Sequence, residues 1–438
     1  MSSELVRQIL DGDVSFFEGS TAQTATGWLR HPEQYFDDWL DDIDARRPRR
    51  YARTLLLGMG GSSSPARLYA DWRSEGNLSV VDTSNPDTVA GLEFAHATVI
   101  ASSKSGGTVE TQTLLAHALD NGLSPEDLVI ITDPGTALAE LGESLNALVV
   151  LGDPHTGGRF SSLSPFGLVP ALYAGWTPDE LREELSSCYV TDDLVARAVN
   201  DAAERATRVD AGVGTFSLGA DPITSGGALW LEQLVAETTG KDNRGFVPLV
   251  QGPVALYRPG EMQYYHLLAA LLAWHLGVDP FNQPNVESAK KEVFALLTGV
   301  VSWEAIPYDD GELLSSLASA SYIAVQAYAP LDASDDLAAL RVDIEHEFGA
   351  TTANLGPRYL HSTGQLHKGG PTSLVGLQIV QRPRTAPRRI SGRAYSFHDL
   401  HMAQAIGDYR AMVDAGRRVY QLLVDDLSDA AALLGITS

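Results

Sequence analysis

The sequence predicts an α/β fold with two tandem, doubly wound parallel-sheet domains and a helical arm at each end. Short runs of β-branched and aliphatic residues alternate with helical patterns along most of the chain. These runs are apolar on both faces, as are the strands of a parallel sheet that helices cover on each side. The 438 residues leave room for two or three domains and a large core.

The first domain is predicted to span residues 51–185 and to follow a helical arm over residues 1–50. Five apolar runs in this domain have the length and composition of strands. They are TLLLG (54–58), LSVVD (78–82), ATVIAS (97–102), LVIITD (128–133) and ALVVLG (147–152). Parallel strands that alternate with helices in this way are typical of a doubly wound domain.

The second domain is predicted to span residues 186–395, with its boundary in a charged helical stretch. Its strand candidates are TFSLGA (215–220), FVPLVQG (246–252), YIAVQAYA (322–329) and SLVGLQIV (373–380). Apolar helical patterns lie between them. The remaining residues, 396–438, are predicted to form a helical tail.

Composition and charge exclude several classes of protein. The formal net charge of −25 repels nucleic acid and anionic membranes, which bind proteins through Lys and Arg. The single cysteine, Cys188, excludes an internal disulfide and a multi-cysteine metal site. No apolar run could span a bilayer, and the first residues lack the pattern of a signal peptide. We therefore expect a cytoplasmic protein that binds neither nucleic acid nor membranes.

Glycine- and serine-rich segments follow two predicted strands, at the sheet edge where open parallel sheets bind ligands. In GMGGSSSP, Gly58, Gly60 and Ser63 partly match a dinucleotide fingerprint, with Asp82 as its acidic residue. Ser63 stands where that fingerprint has glycine or alanine, which disfavours a nicotinamide enzyme. SSKSGGTVETQT, after the third strand, offers hydroxyl groups and the N–H groups of a helix start, which bind phosphate well. One such loop could equally be a capped turn, but two on neighbouring strands favour a phosphate site.

Other charged residues have roles that the pattern alone leaves open. Arg159, in GDPHTGGRFSSLSPFG after the fifth strand, is either a surface residue or a fork of donors that faces an anion. LWLEQLVAETTGK contains Glu232 and Glu237, which in isolation would be solvated. DPFNQPNVESAKKEV places Gln283 and Lys290 around a helix start, where charges are commonly exposed.

The segment GPRYLHSTGQLHKGGP, residues 356–371, is polar and glycine-rich. We therefore predict a surface loop rather than core, with His361, His367 and Lys368 as its candidate functional residues. A metal site is disfavoured because no third ligand has suitable spacing nearby.

Taken together, these motifs resemble those of the phosphoglucose isomerase family, which is built from two sugar-isomerase (SIS) domains. GMGGSS, SSKSGGTVET, GGRFSSLSPFG, EQLVAETTGK and DPFNQPNVESAKK are similar to its motifs in order. GPRYLHSTGQLHKGGP resembles the C-terminal motif of the branch fused to transaldolase, and here the isomerase part would stand alone. The resemblance covers about residues 55–405.

The resemblance implies a role for each matched residue. The substrate phosphate would be held by Gly61, Ser62, Ser103, Lys104, Ser105, Gly107 and Thr108. Glu237 would be the base that moves a proton between carbons, and Arg159 would face the reacting carbons. Lys290 and His361 would open the sugar ring, with Gln283 in the same substrate site. His367 and Lys368 would be secondary.

The implied activity is aldose–ketose isomerisation of glucose 6-phosphate and fructose 6-phosphate. It needs ring opening, for which His titrates in a suitable range, and then proton transfer through a cis-enediolate. It needs no metal or redox cofactor, and members of the family are usually homodimers whose histidine reaches the neighbouring subunit's site.

Two departures from the family's pattern leave alternatives open. Gly107 stands where the family commonly has a second threonine, which makes another hexose or aminosugar phosphate possible as substrate. His361 follows the lysine motif, whereas in most members the histidine precedes it; the order found here is typical of the fused branch. A non-catalytic SIS protein that senses a sugar phosphate would need neither Glu237 nor Lys290.

Overall fold

The computed structural model describes residues 2–11, 13, 15, 17, 25–49, 51–73, 77–254, 257–299 and 304–436, without the side chains of residues 2, 3 and 286–290. Within these residues the chain has an α/β fold whose sheets are parallel, as predicted. None of the described helices combines the length and the apolar character that crossing a membrane requires.

Helices precede the first sheet, in the region predicted to be a helical arm. They are α1 (Ser2–Leu10), α2 (His31–Tyr35) and α3 (Asp38–Arg46). Leu40 and Ile43 of α3 are buried, whereas Asp41 and Asp42 are exposed. Helix α3 therefore packs through an apolar stripe, as an amphipathic surface helix does.

The first sheet has the strand order β2-β1-β3-β4-β5. Its strands are β1 (Thr54–Gly58), β2 (Leu78–Val81), β3 (Thr98–Ser102), β4 (Leu128–Thr132) and β5 (Leu148–Leu151). All five strands predicted for this domain are present, and the central β1, β3 and β4 are buried throughout. The chain reverses its winding direction between β1 and β3, so a ligand site is expected at their carboxyl ends.

Helices cover this sheet and begin where the predicted ligand loops end. They are α4 (Ser64–Asp71), α5 (Pro86–Ala90), α6 (Val109–Asp120), α7 (Ala137–Ser144) and α8 (Pro165–Tyr173). Pro65 lies in the first turn of α4, where its missing N–H costs nothing. The N-terminus of α6 lies directly after the loop that carries Ser103 to Thr108.

The chain after helix α8 contains the parallel sheets β6-β7 and β11-β10-β8-β9. Its strands are β6 (Val213–Ser217), β7 (Gly245–Leu249), β8 (Tyr322–Tyr328), β9 (Thr351–Leu355), β10 (Leu374–Gln381) and β11 (Arg418–Val424). The helices that follow α8 are α9 (Pro178–Glu184), α10 (Asp192–Ala206), α11 (Gly226–Thr239), α12 (Met262–Leu276), α13 (Val286–Leu297), α14 (Asp310–Ala318), α15 (Ser334–Phe348), α16 (Gly364–Gly369), α17 (Phe397–Asp414) and α18 (Asp429–Leu433). The four predicted strands are present, and β9 and β11 are additional.

The prediction of a purely helical tail over residues 396–438 is wrong. Strand β11 lies between α17 and α18 and pairs with β10 from Val375↔Arg418 to Gln381↔Val424. Its sequence RVYQLLV has the β-branched and aromatic residues that favour a strand, and its backbone completes the edge of the sheet.

The prediction that residues 356–371 form a surface loop is also wrong. The segment contains a 3₁₀ helix, Arg358–His361, and helix α16, and all six residues of α16 are buried. Glycine makes this close packing possible, since a Cβ atom on Gly369 would lie 2.6 Å from Asn285 Oδ1. Several polar side chains of the segment, among them Gln365 and Lys368, have hydrogen-bond partners elsewhere in the chain, as described below.

Candidate active site

Three loops meet at the carboxyl edge of the first sheet. They follow β1, β3 and β5, and carry Gly61, Ser103 and Arg159 respectively. The first and third of these loops touch: a Cβ atom on Gly61 would lie 2.0 Å from the Gly158 carbonyl oxygen. Glycine at position 61 is therefore a packing requirement, and the contact holds Ser62 beside the second loop.

The loop after β3 has the donors of an anion site. Ser103 Oγ donates to Thr108 Oγ1 at 2.9 Å, and the backbone N–H of Gly107 donates to Ser105 Oγ at 3.3 Å. The Thr108 side chain does not cap α6. Ser105 and Gly107 are exposed and Ser103 is buried, so hydroxyl and N–H groups line the start of the helix.

Lys104 uses its ammonium group within the protein. Its Nζ lies 2.8 and 2.6 Å from the two carboxylate oxygens of Asp133 and 2.6 Å from the carbonyl oxygen of Asp153. Its backbone N–H donates to Ser62 Oγ at 3.3 Å. The charge that the sequence offered to a phosphate is thus already paired with a carboxylate, and the side chain braces the loop.

Glu237 and Arg159 form a buried pair between the domains. Glu237 lies in the last turn of α11, and its Oε2 accepts from Arg159 Nη1 at 3.4 Å and from Gln283 Nε2 at 3.2 Å. Arg159 Nη2 also donates to the carbonyl oxygens of Pro280 and Asn282, at 2.6 and 3.1 Å. Burial raises the pKa of Glu237, although the charges of Arg159 and His361 oppose that rise. A carboxylate that is more basic than usual is suited to proton abstraction.

His361 ends the 3₁₀ helix and contacts a carboxylate of the first domain. Its Nε2 lies 2.9 Å from Glu110 Oε1, and the Glu110 side chain is buried in the first turn of α6. Burial alone would raise the pKa of Glu110, but the charge and hydrogen bond of His361 lower it below its ordinary value. A histidine oriented by a carboxylate is an arrangement used in general acid–base catalysis.

The histidine belongs to the same chain as the rest of the candidate site. The His361 carbonyl oxygen accepts from Gln233 Nε2 at 3.0 Å, and Gln233 lies one turn before Glu237 on α11. A Cβ atom on Gly60 would lie 2.5 Å from that carbonyl oxygen. The segment therefore packs directly on the first loop and on the helix that carries Glu237.

Lys290 lies on α13, but its side chain is outside the described part of the structure. The residues before α13 are tied to α16: Gln365 Nε2 donates to Asn285 Oδ1 at 2.9 Å, and Asn285 N–H donates to Gln365 Oε1 at 3.2 Å. With Gln283 on Glu237, these contacts bring the start of α13 to the candidate site. The ring-opening role of Lys290 stays a prediction.

The sequence analysis did not identify Glu110 and Lys241 as members of the candidate site. Glu110 stands in the quoted motif SSKSGGTVET, but nothing in that motif indicates its partner, His361, which lies far along the chain. Lys241 Nζ donates to the Asp279 carbonyl, and burial lowers the pKa of Lys241 to about 6. Its contact fixes the loop whose carbonyl groups bind Arg159.

His367 and Lys368 are buried and engaged elsewhere. His367 Nδ1 accepts from Gln326 Nε2 at 2.9 Å, and burial lowers the pKa of His367 to about 3. Lys368 Nζ lies 2.6 Å from Asp408 Oδ1. Both side chains help to hold the segment that carries His361, and neither is a loop-surface residue.

Comparison with curated proteins gives several glucose-6-phosphate isomerases as relatives, whereas no family model matches the chain. The enzyme of Campylobacter jejuni is 24% identical over 268 residues, which are 57% of this chain and 62% of that protein. The enzyme of Rubrobacter xylanophilus is 30% identical over 262 residues, 52% of this chain and 60% of that protein. A probable glucose-6-phosphate isomerase of Haloarcula marismortui is 31% identical over 230 residues, 47% of this chain and 51% of that protein. The matches thus span between 51% and 62% of these relatives' own length.

Solved structures of other proteins align with this chain at low similarity. A hypothetical protein from Thermus thermophilus aligns with 99% of this chain and 85% of its own, at 19% identity and a TM-score of 0.34. Tagatose-6-phosphate ketose/aldose isomerase from Escherichia coli aligns with 60% of this chain and 95% of its own, at 15% identity and a TM-score of 0.41. TM-scores this low carry no argument about function.

Proposed function

Because this chain is related in sequence to the glucose-6-phosphate isomerases, we propose that it interconverts glucose 6-phosphate and fructose 6-phosphate. One structural observation supports the proposal in addition to that sequence relationship. The buried Glu237–Arg159 pair and the His361–Glu110 pair come together in one chain, next to a loop that is rich in anion-binding donors.

Substrate binding is assigned to the loops after β1 and β3. The N–H groups at the start of α6 and the hydroxyls of Ser103, Ser105 and Thr108 take the phosphate. The phosphate lies away from the reacting carbons, so its binding energy orients the sugar without taking part in the bond changes. Lys104 supports this site through Asp133 and through its backbone, not by direct charge contact.

Ring opening is assigned to His361. The histidine exchanges a proton with the sugar's ring oxygen or C1 hydroxyl, while Glu110 keeps the imidazole oriented and favours its charged form. Lys290 keeps the second role in this step that the sequence resemblance gave it.

Proton transfer is assigned to Glu237. Its carboxylate removes the C2 proton of the open-chain sugar and returns it to C1, by way of a cis-enediolate. Negative charge then grows on the substrate oxygens, and the buried guanidinium of Arg159 stabilises that charge where little water competes. Gln283 holds the same carboxylate oxygen as Arg159 and so fixes the direction of the base.

Other properties of the enzyme remain part of the proposal. Gly107 provides no hydroxyl, so an isomerase of another hexose or aminosugar phosphate is the second candidate. Its support is the exposed Gly107 at the anion loop, and turnover of a series of sugar phosphates separates the two. A homodimer and a cytoplasmic location stay predictions, as does the absence of nucleic-acid and membrane partners.

Glu237→Gln tests the proposal, with turnover followed by a coupled spectrophotometric assay. We expect the variant to bind 6-phosphogluconate, an anionic mimic of the open-chain sugar, and to lose at least about 100-fold in turnover, because a positioned base is worth that much. Near-full turnover of the variant would contradict the role of Glu237. Saturable NAD binding without isomerisation by the unaltered protein would indicate a nicotinamide enzyme, and sugar-phosphate binding without isomerisation would indicate a sensor.

Glu232→Gln is the matched control. Glu232 is a buried glutamate of the same helix, and its Oε1 accepts from Asn354 Nδ2 at 3.0 Å. Burial raises the pKa of Glu232 to about 8, so the neutral amide closely replaces a carboxyl group that is mostly protonated near neutral pH. We expect this variant to retain its turnover.

A further inference from the structure

Gln404, on helix α17, bridges Ser84 and the Glu110–His361 pair. Its side chain is buried, at 2% exposure. Its Nε2 donates to Glu110 Oε1 at 2.6 Å, and its Oε1 accepts from Ser84 Oγ at 2.6 Å. Because a donor holds one end of the amide and an acceptor the other, only one orientation of the amide satisfies both partners.

Glu110 depends on that orientation. Its Oε1 accepts from both His361 Nε2 and Gln404 Nε2, whereas its Oε2 has no hydrogen-bond partner among the described residues. Two donors that reach one oxygen from different directions fix the position of that oxygen more closely than one donor would. Gln404 is the second of these donors, and it comes from helix α17.

Helix α17 itself is fixed where it meets Glu110. His401, one turn before Gln404, has its Nε2 3.3 Å from Asn85 Nδ2. Asn85 and Ser84 belong to the same segment after β2, so two side chains of α17 hold that segment. The hydrogen-bonded chain Ser84–Gln404–Glu110–His361 therefore begins in a segment that two side chains of α17 hold.

We propose that Gln404 is a positioning residue for ring opening: it holds the Glu110 carboxylate so that His361 keeps its place and proton. This inference rests on the proposed function. It assigns to helix α17 a part in ring opening that acts through Glu110 and His361, without contact between Gln404 and the substrate.

Anomerisation of glucose 6-phosphate isolates the step in question. Opening the ring and closing it on the other face converts one anomer into the other and needs no transfer between C1 and C2. In a Glu237→Gln background, the α-to-β exchange above the buffer rate, measured by exchange NMR, therefore reports ring opening alone. Adding Gln404→Leu should lower that catalysed rate about tenfold or more, since a hydrogen bond to a charged group is lost. Binding of 6-phosphogluconate should stay unchanged.

A second variant and a control separate positioning from folding. Gln404→Met keeps the length of the side chain but removes the donor to Glu110 and cannot take up a proton in its place, so it should lose catalysed anomerisation as Gln404→Leu does. Gln263→Leu removes another buried amide, which contacts the Trp28 carbonyl and His266 and not Glu110. It should leave the anomerisation rate unchanged. An equal fall in Gln263→Leu, or a full rate in Gln404→Met, would overturn the proposal.

The experiment distinguishes failure of this inference from failure of the proposed function. If the unaltered protein does not isomerise glucose 6-phosphate, the proposed function fails and this inference fails with it. If the unaltered protein isomerises and Glu237→Gln still anomerises, an undiminished rate in the Gln404 variants overturns the positioning role alone.

Discussion

Lys368 and Asp408 form an ion pair close to the segment that carries His361, and removal of the lysine should destabilise the protein strongly. The two side chains are 2% and 0% exposed, and Nζ lies 2.6 Å from Oδ1. Asp408 Oδ2 accepts from the Tyr359 hydroxyl at 2.8 Å. Among the described residues, Lys368→Met would leave the carboxylate with that phenol as its one hydrogen-bond partner.

The expected cost follows from this burial. Loss of one partner of a buried ion pair leaves an uncompensated charge and typically costs about 3–5 kcal/mol. A domain is stable by about 5–15 kcal/mol, so the variant should lose a large share of its stability. Urea unfolding followed by circular dichroism measures the change. Since Tyr359 shares its 3₁₀ helix with His361, we also expect catalysed ring opening to fall.

A surface pair supplies the control. Arg46 and Asp42 lie 2.8 Å apart, a similar distance, but their side chains are 53% and 57% exposed. Arg46→Met should therefore cost less than about 1 kcal/mol. The double variant Lys368→Met/Asp408→Leu should regain much of the loss, because an apolar replacement of both ions is often neutral. A cost of Lys368→Met no larger than that of Arg46→Met would refute the reasoning.

Three further outcomes are expected. Mixed and reassembled Glu237→Gln and His361→Ala proteins should stay inactive, because both residues lie in one chain's site; recovered activity would show that the histidine serves a partner subunit. Lys104→Met should lower thermal stability and weaken 6-phosphogluconate binding, and its effect should be smaller in an Asp133→Asn background, where the lysine has already lost its charge partner; equal effects in both backgrounds would contradict this pairing. In the unaltered protein Glu232 is protonated when folded and ionised when unfolded between its ordinary pKa of 4.5 and its raised pKa of about 8, so it makes stability fall as pH rises through that range. Glu232→Gln should flatten that fall in urea unfolding at several pH values, and an unchanged slope would contradict the assignment.

The first sheet could be predicted from the sequence because its signal is local. Strands β1, β3 and β4 are aliphatic and buried on both faces, so each run carries its own evidence for a strand. The loops at their carboxyl ends follow from topology, since parallel strands bring those ends to one edge. The clustering of Gly61, Ser103 and Arg159 could therefore be predicted from the sequence.

Strand β9 could not be predicted from a local sequence pattern. Its sequence TTANL is mostly polar, and it is nevertheless buried throughout. Asn354 of β9 donates to Glu232, which lies far away in the sequence on α11. Burial of a polar strand depends on such partners, and no local pattern reveals them.

For the same reason, the sequence analysis did not predict the burial of residues 356–371 and of helix α11. Both carry charges that in isolation favour the surface, and both are buried. Lys368 is neutralised by Asp408, forty positions along the chain, and Glu237 by Arg159, from the other domain. The sequence resemblance identified Glu237 and His361 by position in a motif, whereas Glu110 and Gln404 emerge only from the contacts that the fold creates.

Lys104 is a residue that sequence analysis singled out, but its ammonium group is engaged differently from the prediction. The motif pointed to an ammonium group that would bind phosphate, but both Asp133 oxygens already hold that group. What the loop has left for an anion are hydroxyls and the N–H groups at the start of α6, which are neutral donors with oriented dipoles. In a chain with a formal charge of −25, such a site has one advantage. Neutral donors carry no net charge, so neighbouring carboxylates do not form ion pairs with these donors. A free lysine side chain, in contrast, would attract such carboxylates. Asp133 pairs with the ammonium group of Lys104 and holds it in place, so that the lysine supports the backbone of the loop. On the proposed function, the backbone groups bind the sugar phosphate, and the lysine does not bind it directly.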